Sequence, residues 1–283
     1  MAGEPQAGDG AAPIDLARYL ARIGLAGPCP PTLGTLHALT AAHAETIPFE
    51  NLDVLLERPI ELAPEVLFDK LVRRRRGGYC FEQNGLLLAV LQQLGFDVRP
   101  LGGRVRLGQP DRRVPTQRTH MLLQIRIDGQ AWITDVGVGT ASLTHALRLQ
   151  ADVEQRTPHD TRRLQHEAGR WYHQIRRAGA WVDVYEFTEE ELPLIDRKVG
   201  NWYTSTHPDS VFRQRLMASR AAADGSRWSL ANLRLSRHLN DGSEEHQTLA
   251  SAQALGQALE QHFALTLPAA DVSALFERIG SGR

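Results

Sequence analysis

The sequence predicts an α+β protein, because the spacing of its apolar residues changes twice along the chain. From residue 14 to about residue 95, apolar residues recur every three or four positions, which is typical of helices. From about residue 97 the period falls to two, which indicates strands, and beyond residue 200 the two patterns alternate. Helical, β and mixed segments in this order predict an α+β fold built from three segments.

The N-terminal segment is predicted to contain several short helices, because prolines interrupt it repeatedly. Its clearest helix runs from Phe81 to Leu94, where leucines recur on one face and Gly95 follows at the position of a C-terminal cap. We expect this helix to be buried on most sides.

The middle segment is predicted to be antiparallel β-structure. Alternating hydrophobicity indicates five strands, at Val98–Leu107, Met121–Ile127, Ala131–Val136, Trp171–Arg177 and Trp181–Phe187. Asp128-Gly129 lies between the second and third of these and is typical of a two-residue hairpin loop.

The last segment mixes both kinds of element after a polar stretch at Asn201–Ser210. The pattern predicts a helix near Val211–Ala223, strands within Trp228–Leu239 and at Glu245–Leu249, and helices at Ala252–Phe263 and Asp271–Ile279.

Composition and charge exclude several classes of protein. Lys+Arg 32 against Asp+Glu 33 gives a net charge of -1, so no overall field favours nucleic acid or anionic lipid. The longest apolar run, Leu86–Leu91, is far shorter than the ~20 residues of a membrane helix, and residues 1–13 resemble a disordered lead-in rather than a secretory signal. The two cysteines, Cys29 and Cys80, form no metal-ligand motif, so we expect no metal site. Their small number suits a location in the reducing cytoplasm.

Cys80 is a candidate nucleophile. It follows Gly77 and Gly78 and stands at the first turn of the predicted helix, where free N–H groups and the helix dipole favour a thiolate. A buried apolar role for this cysteine is equally compatible with its position alone.

Hairpin geometry supplies a base for this cysteine. If Asp128-Gly129 is the loop, paired positions sum to 257, and His120 and Asp135 become diagonal neighbours on one face of the sheet. Diagonal neighbours lie roughly 7–8 Å apart, which is close enough for a carboxylate to orient an imidazole. Cysteine, histidine and aspartate in this order suit covalent acyl transfer.

The sequence resembles the arylamine N-acetyltransferase family. The resemblance lies in four blocks and the stretch from Asn201 to Pro208, which follow the family's order along most of the chain; the blocks are Arg76-Gly77-Gly78-Tyr79-Cys80-Phe81-Glu82-Gln83-Asn84, Ile47-Pro48-Phe49-Glu50-Asn51-Leu52, Thr119-His120 and Asp135-Val136-Gly137-Val138-Gly139. It implies an N-terminal helical bundle (14–96), a central antiparallel β-barrel (97–200) and a C-terminal α/β lid (201–283), with a cysteine-protease-like Cys-His-Asp core.

The resemblance also implies an activity and binding residues. Cys80 would take an acetyl group from acetyl-coenzyme A, and an arylamine or arylhydrazine would then remove it in a ping-pong reaction. Phe49, Val105 and Val138 would line the aryl pocket, while Thr119 and Gly139 would lie beside the coenzyme. Plain core packing is the alternative role for Phe49 and Val105. Many family members carry phenylalanine at the position of Val138, so a shifted acceptor range is expected here.

Three alternative functions fit parts of the same pattern. An amide synthase that closes a macrolactam from a carrier-bound polyketide would use the same triad. A transglutaminase-like or protease-like hydrolase shares the Cys-His-Asp order, although the blocks at Ile47–Leu52 and Asp135–Gly139 speak against it. A non-catalytic binding module would leave the placement of His120 and Asp135 unexplained.

The run Arg73–Arg76 is expected to form ion pairs on a solvated face, with contact to the coenzyme phosphates as the alternative.

Overall fold

The computed structural model describes residues 13–280 and begins with a set of helices. These are α1 (Leu16–Ile23), α2 (Leu33–Thr46), α3 (Leu52–Leu55), α4 (Pro64–Phe68), a π-helix (Asp69–Arg73) and α5 (Cys80–Gln93), with the short strand β1 (Phe49–Glu50) between α2 and α3. The predicted disordered lead-in at 1–13 lies outside the described residues, apart from Pro13.

Helix α5 is the central element of the helical part. It begins one residue before the predicted start, ends at Gln93, and is followed by Gly95 with a φ of 84°, a left-handed conformation that suits glycine. Leu86, Leu87 and Leu91 on this helix are completely buried, so the expectation of a helix buried on most sides is confirmed.

An eight-stranded antiparallel sheet forms the middle of the chain. Its strands are β2 (Asp97–Val105), β3 (His120–Ile127), β4 (Gln130–Thr134), β5 (Leu147–Arg148), β6 (Gln155–Arg156), β7 (Thr161–Glu167), β8 (Arg170–Arg177) and β9 (Ala180–Glu191). They follow the order β5-β4-β3-β2-β9-β8-β7-β6, and a bridge between Ala151 and Leu164 nearly closes the sheet into a barrel. The predicted α+β class with a β-barrel is confirmed.

Strand β3 separates two hydrophobic cores. Met121, Leu123 and Ile125 pack with the helical part, while Leu122 points to the opposite face and packs with the barrel interior. His120 lies on the same face as Leu122, since side chains alternate along a strand. The catalytic candidate on this strand therefore points into the barrel.

The C-terminal part is a second sheet covered by helices. After α6 (Leu194–Thr206) and α7 (Val211–Gln214) come β10 (Met217–Ala221), β11 (Arg227–Ala231), β12 (Arg234–His238), β13 (Glu244–Thr248), α8 (Ala252–Phe263) and α9 (Ala269–Gly280). Strand β1 adds to the edge of this sheet, in the order β1-β10-β11-β12-β13, so the helical and C-terminal parts share a sheet.

Two features of the C-terminal part differ from the sequence prediction. The helix predicted at Val211–Ala223 is wrong beyond Gln214, because Met217–Ala221 pairs with β1 on one side and β11 on the other. Helix α6 was not predicted, and it continues across the predicted domain boundary at residue 200.

Within residues 13–280, none of the helices combines the length and hydropathy that crossing a bilayer requires.

A buried ionic cluster joins the barrel to the C-terminal sheet. Asp160 accepts hydrogen bonds from Arg162 of the barrel, with 2.6 Å between Nη2 and Oδ2, and from Arg227 of β11, with 2.8 Å between Nη2 and Oδ2. All three side chains are at most 9% exposed. Burial raises the pKa of Asp160, but the two arginines outweigh burial and hold that pKa well below its usual range.

Replacing Asp160 is expected to weaken the contact between barrel and C-terminal sheet. The change Asp160→Ala leaves two buried guanidinium groups without their carboxylate, and such losses cost about 3–5 kcal/mol. Urea denaturation should show a lower free energy of unfolding by this amount. The control Asp209→Ala removes an 84% exposed carboxylate and should change it by less than about 0.5 kcal/mol; equal effects of the two substitutions would contradict the argument.

Candidate active site

The turn before α5 brings Cys80 to the first residue of the helix. The backbone is packed so closely there that a Cβ on Gly77 would collide with the carbonyl oxygen of Pro48, and one on Gly78 would lie 2.6 Å from a carboxylate oxygen of Glu82. Only glycine fits at these two positions. Cys80 itself is 4% exposed and lies at the helix N-terminus, where the dipole stabilises negative charge.

A network of buried ion pairs holds this turn. Arg76 contacts Glu50 and Asp53 at 2.9 and 3.0 Å, and Lys70 contacts Glu82 at 2.6 Å. Glu82 in turn accepts a hydrogen bond from the backbone N–H of Tyr79 at 3.1 Å, directly before Cys80. Paired charges therefore hold the backbone around the nucleophile in place.

The hairpin register places His120 beside Asp135. Ile127 pairs with Gln130 and Leu123 with Thr134, so paired positions sum to 257 as predicted. The distance between His120 Nε2 and Asp135 Oδ2 is 2.7 Å, and both side chains are buried. Nε2 is thereby committed to the carboxylate, which leaves the other ring nitrogen for a reacting group.

Asn84 joins α5 to the barrel at this point, a role that the sequence prediction missed. Its amide nitrogen donates to Asp135 Oδ1 at 2.8 Å and to the Met121 carbonyl at 2.7 Å, while its oxygen accepts from the Val136 N–H. The signal was present in the sequence, since residues four apart share a helix face and Asn84 is four residues beyond Cys80.

Electrostatics favour a charged histidine. Burial lowers the pKa of His120, but the Asp135 carboxylate and the Cys80 side chain outweigh burial and raise it to about 10. Burial also raises the pKa of Asp135, while His120, Asn84 and the Gly137 N–H hold it below its ordinary value. The arrangement supports an imidazolium beside Cys80 at neutral pH, and a thiolate is stabilised by such a neighbour.

Gly137 packs directly on the nucleophile. A Cβ at this position would lie 2.5 Å from Cys80 Cα and 2.9 Å from the amide nitrogen of Asn84. The loop after β4 can therefore reach Cys80 only because residue 137 has no side chain.

The predicted binding residues fall into two groups. Phe49 and Gly139 adjoin each other, since a Cβ on Gly139 would lie 3.9 Å from the Phe49 ring, and the Thr119 carbonyl accepts from the Cys80 thiol at 3.6 Å. Val138 is buried and packs with the barrel core, whereas Val105 is 36% exposed near the end of β2.

Two aromatic rings beside the site were not predicted. Phe212 stands against Phe49 and Tyr79, with ring centroids 6.1 and 5.3 Å apart, and Tyr185 lies 4.9 Å from the His120 ring. Nothing in their sequence spacing marks them, because each reaches the site from a distant part of the chain. Within residues 13–280, no group of three or more His, Cys, Asp or Glu side chains is arranged to hold a metal ion.

The sequence matches known N-acetyltransferases. Residues 32–272 match the family model described as N-acetyltransferase. The chain is 43% identical over 257 residues to the arylamine N-acetyltransferase of Mycolicibacterium smegmatis, covering 90% of this chain and 93% of that protein. It is 40% identical to the arylamine N-acetyltransferase of Escherichia coli K12, covering 88% of each.

Solved structures agree with these relatives. The arylamine N-acetyltransferase of Salmonella typhimurium superimposes with a TM-score of 0.88 at 38% identity, covering 93% of this chain and 97% of that one. The Mycobacterium marinum arylamine N-acetyltransferase in complex with CoA gives the same TM-score and identity, covering 94% and 99%.

Substituting Gly137 should disturb the nucleophile specifically. In Gly137→Ala the added methyl group must displace the Cys80 backbone, which we expect to cost about 1–3 kcal/mol of stability and to slow alkylation of Cys80 by iodoacetamide about 100-fold. Gly34→Ala is the matched control, since its Cβ meets nothing nearer than 4.0 Å. Unchanged alkylation in Gly137→Ala would show that the close approach does not position Cys80.

The pKa of His120 predicts how stability depends on pH. A folded-state pKa of about 10, above the ~6.5 of an unfolded histidine, means that the protonated ring stabilises the fold. This contribution is fully present below about pH 6.5 and is lost as pH rises through 10. Urea unfolding of the wild type should therefore show stability falling over this window relative to Asp135→Asn. Parallel pH curves for the two proteins would contradict the prediction.

Proposed function

The chain belongs to the arylamine N-acetyltransferase family, and from this premise we propose that it transfers an acetyl group from acetyl-coenzyme A to an arylamine or arylhydrazine. The observation that carries the proposal is the buried contact of 2.7 Å between His120 and Asp135 beside a cysteine at a helix N-terminus. These are a nucleophile, a base and an orienting carboxylate, the three groups that covalent acyl transfer uses.

Cys80 would act as the nucleophile in the first half-reaction. Its thiolate attacks the thioester carbonyl carbon, a C–S bond forms, and the tetrahedral intermediate collapses by breaking the bond to the coenzyme sulfur. His120 gives its proton to the departing coenzyme A thiolate, which leaves a neutral imidazole and an acetyl-cysteine. Free N–H groups in the first turn of α5 are suited to hold the oxyanion.

The second half-reaction would return the enzyme to its first state. The arylamine nitrogen attacks the acetyl carbonyl carbon, the C–S bond to Cys80 breaks, and His120 accepts the proton from nitrogen. The products are the N-acetylated amine and the thiolate–imidazolium pair. Asp135 keeps the imidazole in one orientation throughout, because Asn84 and the Gly137 N–H fix the carboxylate.

We assign the binding roles on the same premise. Phe49 and Val138 would bound the aryl pocket, with Val105 at its outer edge, and Thr119 and Gly139 would lie along the coenzyme. Support comes from the proximity of Phe49 to Gly139 and of Thr119 to Cys80. The three domains at 14–96, 97–200 and 201–283 remain our proposal for the division of the chain.

Two further expectations belong to this proposal. A cytoplasmic location is supported by Cys29 and Cys80, which are both free, since the mechanism needs a reduced thiol. The relatives reported above carry arylamine N-acetyltransferase names, and none of them favours the macrolactam-forming amide synthase.

Intact-mass spectrometry tests the covalent mechanism. Incubation with acetyl-coenzyme A alone should add one acetyl group to the wild type, and an arylamine should then remove it. Cys80→Ala should stay unmodified, whereas Cys29→Ala should be acetylated like the wild type, because Cys29 lies outside the site. Turnover of the arylamine by Cys80→Ala would overturn the covalent route, and a wild type that acquires no acetyl group would exclude acetyl-coenzyme A as the donor.

A further inference from the structure

Lys70 is a buried lysine at the centre of the charged network beneath the active-site turn. The chain contains two lysines; Lys198 on α6 is exposed, whereas Lys70 in the π-helix is only 6% exposed. The Nζ of Lys70 contacts Asp53 Oδ2 at 2.8 Å and Glu82 Oε1 at 2.6 Å. Burial lowers the pKa of Lys70, but the neighbouring carboxylates outweigh burial and raise it above its usual range. The ammonium group is therefore fully charged at neutral pH.

The two acids in contact with Lys70 depend on it to different extents. Asp53 also contacts Arg76 at 3.0 Å and Arg58 at 3.6 Å, so it keeps two cations if the ammonium group is removed. Glu82 is 1% exposed, and in the described part of the chain it forms an ion pair with Lys70 only. Loss of the ammonium group would therefore leave one buried carboxylate, that of Glu82, without a cation.

The arginines that precede the turn form no ion pair with Glu82 within residues 13–280. Arg73 and Arg74 contact Asp69 at 3.8 and 2.8 Å. Arg76 contacts the acids of β1 and α3. The ion pairs expected for this arginine run therefore form at three of its four members, and they leave Glu82 to the lysine.

The carboxylate of Glu82 holds the two residues before the nucleophile. Its Oε2 accepts a hydrogen bond from the Tyr79 N–H at 3.1 Å, which is the backward contact of a capping box at the start of α5. A Cβ on Gly78 would lie 2.6 Å from the same oxygen, so the carboxylate packs directly on the backbone of the turn. An ionised carboxylate accepts a stronger hydrogen bond than a neutral carboxyl group does. The charge on Glu82 therefore determines how firmly Cys80 is placed.

The ionisation of Glu82 depends on its surroundings. Burial raises the pKa of Glu82, whereas Lys70 and a backbone N–H lower it, and the like charge of Glu50 raises it. Glu82 also lines a cavity of about 200 Å³ whose walls include the exposed side chains of Arg58 and Glu61, which gives solvent protons a route to it. The charged groups that face Glu82 directly or across this cavity are Glu50 of β1, Asp53 of α3, Arg58 and Glu61 of the segment after α3, and Lys70, Arg74 and Arg76 of the π-helix and the residues after it.

We propose that Lys70 is a positioning residue for the nucleophile: its ammonium group keeps the buried Glu82 ionised, and the ionised carboxylate holds the turn from which Cys80 projects. Lys70 contacts acids of the network and not the reacting thiol, so it acts through Glu82. This role rests on the proposed function, because it concerns the thiol to which acetyl transfer is assigned.

Alkylation of Cys80 by iodoacetamide as a function of pH tests this role. All variants and the parent protein carry Cys29→Ala, so that Cys80 is the only thiol that reacts. Lys70→Met removes the charge but keeps a side chain of similar length, and Glu82 then takes up a proton as the pH falls. From about pH 9 to about pH 6, the rate constant relative to the parent should fall about tenfold. Lys198→Met is the matched control and should follow the parent at every pH.

Three further variants locate the effect at Glu82 and keep the test decisive if Lys70→Met is unstable. Glu82→Gln, alone or combined with Lys70→Met, replaces the carboxylate by a neutral acceptor, so both proteins should react about tenfold more slowly than the parent at every pH. Lys70→Arg keeps the charge, and the adjoining cavity has room for the larger guanidinium group, so it should restore the profile of the parent.

The outcomes are distinguishable. A Lys70→Met profile parallel to that of the parent, Glu82→Gln at the rate of the parent, or Lys70→Arg that behaves like Lys70→Met would overturn the proposal. So would a pH dependence of Lys70→Met that persists when Glu82→Gln is added. Alkylation needs neither acetyl-coenzyme A nor an arylamine. A wild type that acquires no acetyl group but shows these alkylation profiles would therefore contradict the proposed donor and support the positioning role of Lys70.

Discussion

The contact between helix α5 and the loop after β4 is the constraint on which the candidate active site depends. Cys80 comes from the helical part, and His120 and Asp135 come from the barrel, so their alignment requires the two parts to meet at one place. They meet where Gly137 packs on the Cys80 backbone and where Asn84 donates to both Asp135 and the Met121 carbonyl. Replacing the amide of Asn84 by an apolar group would leave the buried carboxylate without one of its donors.

The sequence predicted the candidate triad because two local signals encode it. One is the turn before Cys80, and the other is the hairpin that carries His120 and Asp135. The two glycines before Cys80 mark a sharp turn into a helix, and the Asp128-Gly129 loop fixes a strand register that relates His120 to Asp135 by arithmetic. The aromatic residues beside the site were missed because they reach it from distant parts of the chain. Phe212 and Tyr185 lie far along the chain from the rings they contact, and only the assembled tertiary structure brings them together.

The elements that the sequence predicted wrongly are the ones that tertiary pairing decides. Residues 217–221 contain Met, Ala and Arg, which are good helix formers. They nevertheless form β10, because their backbone pairs with β1 on one side and with β11 on the other. Leu216 and Ala218 are buried and Met217 between them is less buried, but this alternation ends at the buried Ser219 and is too short to distinguish a strand from a helix end. Helix α6 contains β-branched residues and a glycine, and its propensity is correspondingly weak. Gly200 is needed there because a Cβ would lie 2.6 Å from the Phe81 ring.

Buried charge serves different purposes in different parts of this molecule. The network beneath the turn pairs Lys70 and Arg76 with Glu50, Asp53 and Glu82, so that burial is offset by short contacts. Burial raises the pKa of Asp53, yet the two cations hold it at about 2. At the boundary between the barrel and the C-terminal sheet the proportion is reversed, since the single carboxylate of Asp160 is shared by the guanidinium groups of Arg162 and Arg227. Each buried charge in these two clusters thus has a partner of opposite sign from another element, which ties the elements together.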